Sequence, residues 1–152
     1  MSGASRIASA VLIALAISGP VFAAENWPTS VDEYVLRIRN TIKTTDMEGY
    51  LAAVKEPKGV LLLDVREENE FKAGHVPGAV NIPRGVLPFQ IWKLLGYPAK
   101  VDLDRKIYVQ CATGNRAILA TRELQDIGFT NAIAAIVNFR EWTQKGYPLV
   151  KE

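Results

Sequence analysis

A single cysteine, Cys111, heads the segment Cys111-Ala112-Thr113-Gly114-Asn115-Arg116. The run before it, Lys106 to Gln110 (KIYVQ), reads as a β-strand. The run after it, Asn115 to Ile127, has helical apolar spacing through Ile118, Leu119 and Leu124. A strand-to-helix turn of this kind sets the sulfur beside the unpaired N–H groups of a helix start, where the helix dipole favours negative charge. Gly114 permits a turn with positive φ, so that successive amides can point inward as a nest for an anion. Arg116 adds a permanent positive charge. These effects together favour a nucleophilic thiolate, and the same loop would cradle an anionic group bonded to the sulfur. The bland alternative is an inert cysteine at a strand end, since free cysteine often packs as a small apolar side chain.

Other candidates are weaker. His75 is the only histidine and lies in a Gly/Pro-rich turn (GHVPG), which predicts a structural role rather than a general base. One His and one Cys give no basis for a metal site, and no cofactor is expected. Asp64 and Arg66 close an apolar strand; the simpler reading is a structural ion pair, with Glu70 as the expected partner of Arg66, and the sharper one puts them at the rim of the site. Arg84 and Lys93 are either recruiters of an anion or solvated surface charges. The segment Phe89 to Leu95 has little polar face and is expected to pack on the core, with a site wall or a docking face as alternatives, and Trp142 is expected in the core.

The elements that must hold the loop follow from pattern. Val31 to Ile42 spaces its apolar residues as an amphipathic helix. Thr45-Asp46-Met47-Glu48 has the form of a capping box, Thr then Glu three later, opening a helix to about Val54. Val60 to Val65 (VLLLDV) is a continuous apolar run, as in a strand covered on both faces. A short helix over Glu67 to Ala73, a strand over Ala79 to Ile82, a helix over Phe89 to Leu95, the Lys106–Gln110 strand, a strand over Ala132 to Val137 and a last helix over Phe139 to Lys145 complete the reading. Strands alternating with helices predict an α/β domain with a mainly parallel sheet and helices on both faces.

The chain has 152 residues, enough for one domain with an extension, and a formal net charge of +2, which gives no support to nucleic-acid binding. At the N-terminus, Arg6 precedes an apolar stretch from Ile7 to Ile17, broken by Gly19-Pro20 and followed by Val21-Phe22-Ala23. Residues 1–23 therefore read as a secretory signal peptide cleaved after Ala23, which implies a periplasmic or secreted protein with no membrane attachment after cleavage. Residues 24–40 read as an extension with a helix, and residues 41–150 as the domain. A lone thiol in an exported protein has no partner for an internal disulfide.

Several separated motifs then resemble a single-domain rhodanese: Leu63-Asp64-Val65-Arg66-Glu67, Glu70-Phe71, Gly74-His75-Val76-Pro77-Gly78-Ala79-Val80-Asn81-Ile82-Pro83, Cys111 through Arg116, Leu124, Gly128-Phe129, and Trp142 with Gly146-Tyr147-Pro148. The resemblance implies a rhodanese-like open parallel five-stranded sheet and a sulfurtransferase whose cysteine, here Cys111, carries a persulfide. It places the amides of Ala112, Thr113, Gly114, Asn115 and Arg116 around the transferred sulfur. It implies a small anionic sulfur donor such as thiosulfate and a thiol, cyanide or partner-protein thiol as acceptor. Two departures stand out: Val137-Asn138 replaces the family's usual Gly-Gly pair, and Ala112 replaces a basic residue common in efficient thiosulfate users. The loop has four residues between Cys111 and Arg116, one fewer than the Cys-x5-Arg loop of related phosphatases, and so suits a single sulfur better than a phosphate group. A carrier or binding module with little turnover is the alternative of a different class.

Overall fold

In the computed structural model, residues 26–151 are described, and the expected signal peptide lies outside them. Helix α1 (Val31–Arg39) is followed by β1 (Thr44–Thr45), α2 (Met47–Lys55), β2 (Val60–Asp64), α3 (Glu68–Ala73), β3 (Val80–Asn81), α4 (Leu87–Leu94), β4 (Lys106–Gln110), α5 (Asn115–Asp126), β5 (Ala132–Ala135) and α6 (Phe139–Gln144). A 3₁₀ turn, Arg84–Val86, leads into α4, which has Pro88 in its first turn. The five strands form one parallel sheet in the order β1-β5-β4-β2-β3. The expected fold class is the one observed.

Strand alternation divides the interior into layers. Leu63 and Val65 of the β2 run and Ile107, Val109 and Cys111 of the β4 run pack with Leu87 and Ile91 of α4 and Ala117, Ala120 and Leu124 of α5. Leu62, next to Leu63 in sequence, packs with Tyr50, Leu51 and Val54 of α2 and Trp142 of α6 on the other side. Trp142 is fully buried, and its indole N–H donates to the Pro148 carbonyl at 3.0 Å, so its one polar group is satisfied. Helix α1 adds a third cluster, Val35 against Ile118 and Ala134, which braces α5 from outside.

Several expectations need correction. Helix α1 ends at Arg39, with Asn40 as its C-cap, short of Ile42. Thr45 does not cap α2: it belongs to β1, and Asp46 is the N-cap, its carboxylate accepting from the Gly49 N–H at 2.9 Å. Two adjacent residues could both cap, and Thr45 is committed to pairing with Ala135. The last strand stops at Ala135, so Val137-Asn138 is a loop that leads into α6.

Candidate active site: the Cys111 loop and its walls

Cys111 leaves the C-terminal edge of β4, in the middle of the sheet, where sites of open parallel sheets collect. Gly114 sits at φ +94°, a conformation L side chains rarely adopt, and turns the chain into α5. The turn aims two amides at the sulfur: the Gly114 N–H donates to Sγ at 3.2 Å and the Ala117 N–H at 3.4 Å. Both donors belong to the start of α5, so the helix's otherwise unpaired N–H groups stabilise negative charge on sulfur. Cys111 has no exposed surface in this state. The Ala112 carbonyl accepts from the Phe139 N–H at 2.8 Å, which ties the loop to the first turn of α6.

The sequence-predicted residues occupy distinct places. Ala112 and Thr113 line the cavity beside the loop, Gly114 provides the turn, and Asn115 is exposed at the first position of α5. Arg116 points its guanidinium at Glu70, with Nη1–Oε2 at 2.7 Å and Nη2–Oε1 at 2.8 Å. This hydrogen-bonded pairing is the main cause of a Glu70 carboxyl lowered to about 2, and of an Arg116 held above its ordinary value, to which the charge of Cys111 also contributes. Glu70 also accepts from the Glu67 N–H at 3.1 Å in the capping box of α3. The Ala117 amide, one residue beyond the expected donors, is a contributor the sequence reading missed.

Arg66 does not pair with Glu70, as expected, but with Asp64, in a nearly buried contact: Nε lies 3.0 Å from both carboxylate oxygens and Nη2 2.7 Å from Oδ2. Nη2 also donates to the Gly74 carbonyl at 2.8 Å, and the guanidinium lies 3.9 Å over the ring of Phe139. The Asn81 amide donates to the carbonyls of Asp64 and Arg66 at 2.9 Å each, fixing the segment after β2. Arg66 is thus half of a buried ion pair, with a partner other than the expected one, and a wall of the cavity beside the loop.

The cavity beside the loop holds about 610 Å³. Besides Arg66, Glu70, Ala112 and Thr113, its walls are Asn138, Phe139, Arg140, Thr143 and Gln144, all from the start and body of α6. Of these five the sequence marked only Asn138, as part of the departure from the Gly-Gly pair, because no local pattern tells which helix face meets a loop so distant in the chain. Asn138 is the N-cap of α6, its Oδ1 accepting from the N–H groups of Arg140 and Glu141 at 3.1 and 3.2 Å. Val137 is buried among the residues that cover α2 and α6.

The remaining candidates lie elsewhere. His75 stacks on Phe71 at 3.7 Å between ring centroids, with Nδ1 3.0 Å from the Phe71 carbonyl, and its backbone bridges to Val150. Arg84 lines a separate groove with Tyr34 and Leu119, and Lys93 is exposed on α4. Among the described residues no group of His, Cys, Asp and Glu side chains could hold a metal ion.

A thiol under two helix-start amides thus lies at the central edge of a five-stranded parallel sheet in an α/β domain. The family model for the rhodanese-like domain matches residues 47–145, and the chain belongs to that family. It is 29% identical over 106 residues to YrkF of Bacillus subtilis, a proposed sulfur carrier, covering 70% of this chain and 54% of that protein; the chain thus spans about half the length of that relative. It is 33% identical over 91 residues to the human thiosulfate:glutathione sulfurtransferase, covering 55% of this chain and 79% of the relative. Among solved structures it is similar to the human single-domain sulfurtransferase TSTD1, with a TM-score of 0.57 and 28% identity over 67% of this chain and 96% of the other. Its relatives thus include sulfurtransferases and a proposed sulfur carrier.

Proposed function

We propose that the protein moves a sulfane sulfur through a persulfide on Cys111. The Cys111 thiolate attacks the outer sulfur of a donor such as thiosulfate; the donor's S–S bond breaks and sulfite leaves with its electron pair. The resulting Cys111 persulfide is held by loop amides. A thiolate acceptor, or cyanide in an assay, then attacks the outer sulfur, and the Cys111 thiolate departs. The single observation that carries this reading is the pair of N–H groups, from Gly114 and Ala117, that converge on Sγ at 3.2 and 3.4 Å. The short loop and the sulfurtransferase relatives support sulfur over phosphate as the transferred group.

Intact-mass measurement after exposure to thiosulfate tests the first half. A gain of about 32 Da, one sulfur, is expected on the wild-type chain and not on Cys111→Ser. The thiosulfate:cyanide assay tests the whole cycle, which Cys111→Ser should abolish; turnover in that variant would sink the mechanism. The similarity to YrkF favours a second reading, a carrier that accepts sulfur and hands it to a partner thiol. An adduct without turnover of cyanide or small thiols selects it.

We also propose that the chain is exported, on the strength of the Arg6, Ile7–Ile17 and Val21-Phe22-Ala23 pattern. Expression of the full chain in a bacterial host and mass measurement of the periplasmic fraction should find a protein beginning at Ala24; recovery of only the full-length chain in the cytoplasm contradicts export.

A further inference from the structure

Every charged group lining the cavity beside the Cys111 loop is already paired, except one. Arg66 is held by Asp64, and Glu70 by Arg116. Arg140, on the first turn of α6, has no ion-pair partner among the described residues. Its backbone is nevertheless fixed, because its N–H donates to Oδ1 of Asn138 at 3.1 Å. Thr143 and Gln144 follow at the third and fourth positions along the same helix and therefore share its face, and both line the cavity. Phe139 adds an aromatic wall whose ring is backed at 3.9 Å by the Arg66 guanidinium. At about 610 Å³ the cavity falls in the range, roughly 300–1,000 Å³, that holds drug-sized molecules, and a small inorganic anion leaves most of it empty.

From this arrangement we infer that Arg140 is a specificity-determining residue for the sulfur acceptor: it binds the carboxylate of a peptide-sized thiol, whose amides meet Thr143 and Gln144 and whose sulfur then lies toward Cys111. The inference deepens the sulfurtransferase reading above and rests on it for the acceptor's role. A guanidinium suits a carboxylate because it offers two parallel N–H donors. The acceptor's negative charge also meets no uncompensated carboxylate in the wall, since Glu70 is occupied by Arg116.

The test uses S-methylglutathione, a peptide-sized probe with carboxylates and no free thiol, titrated into the ¹⁵N-labelled protein. Saturable amide shifts are expected at Thr113, Arg140, Thr143 and Gln144. Arg140→Ala should weaken binding by about tenfold or more, the scale of a lost charge-assisted hydrogen bond, with Arg140→Lys in between. In turnover, the ratio of kcat/KM for glutathione to that for cyanide should fall by a similar factor in Arg140→Ala. Equal affinity in wild type and Arg140→Ala, or no saturable binding, overturns the inference. Because the probe cannot accept sulfur, binding is read independently of the Cys111 adduct; loss of that adduct alone refutes sulfur transfer and leaves the binding result to stand.

Discussion

The Arg116 guanidinium grips the Glu70 carboxylate through two hydrogen bonds of 2.7 and 2.8 Å, so the cation of the Cys111 loop is oriented by a residue from another helix. The pair leaves each side chain about one-third exposed. Its role is therefore to hold the first turn of α5 against α3 more than to supply a large energy.

The pairing has a pH signature. Glu70 is lowered from its ordinary 4.5 to about 2, chiefly by the hydrogen bonds from Arg116. A depressed carboxylate contributes stability that is present above pH 4.5 and is lost as the pH falls from there through 2. Urea unfolding at pH 5 and at pH 3 should show this loss in the wild type and a smaller loss in Glu70→Gln. At pH 7 the substitution should cost on the order of 1 kcal/mol, as expected for a partly exposed pair in good geometry.

Asp64 and Arg66 should behave differently, because both are buried. Asp64→Ala leaves a guanidinium 4% exposed without its partner and should cost about 3–5 kcal/mol. Asp64→Leu combined with Arg66→Met should cost markedly less than the two single changes added together. Chemical denaturation of all four proteins of the cycle measures the coupling.

Gly114 tests the loop itself. A Cβ there would meet Ile136 at ordinary contact distance, 3.5 Å, so the cost of Gly114→Ala lies in its φ of +94° rather than in a clash. The expected destabilisation is about 1–2 kcal/mol if the backbone holds its path. If the backbone relaxes instead, the Gly114 N–H swings away from Sγ, and the rate of Cys111 sulfur uptake, followed by mass, should fall at least about tenfold.

Restoring the family's Gly-Gly pair should harm this protein. Val137 is 1% exposed, and Asn138 caps α6. Val137→Gly removes a buried side chain and adds backbone freedom, a loss of about 2–4 kcal/mol. Asn138→Gly should cost only a few tenths, since glycine is tolerated at N-caps. Thermal unfolding of the two single variants separates the contributions.

These contrasts show how the sequence could be read and where it could not. The β4–loop–α5 unit was legible because each signal in it is local: an apolar strand, a small-residue turn, helical spacing. Strand β1 was not, because two residues carry no period and their pairing with Ala134 and Ala135 comes from the far end of the domain. The ion pairs were half legible. Asp64 and Arg66 lie two apart at the end of one strand, yet Glu70, four residues from Arg66, reaches Arg116 instead. The α6 wall of the cavity was invisible, since the bond from the Phe139 N–H to the Ala112 carbonyl follows only from the folded path.

That same bond bears on biosynthesis. The sheet's first strand pairs with its last, and the Cys111 loop is tied both to α3, through Arg116 and Glu70, and to α6, through the Phe139 N–H. During translation, at about 5–20 residues per second, the central strands can be made while the loop that carries the thiol still lacks its bond to α6. A chain interrupted before Phe139 thus lacks the bond that fixes the Ala112 carbonyl and most of the wall of the cavity beside the loop. The surroundings of the Cys111 loop are therefore complete only once α6 has been made.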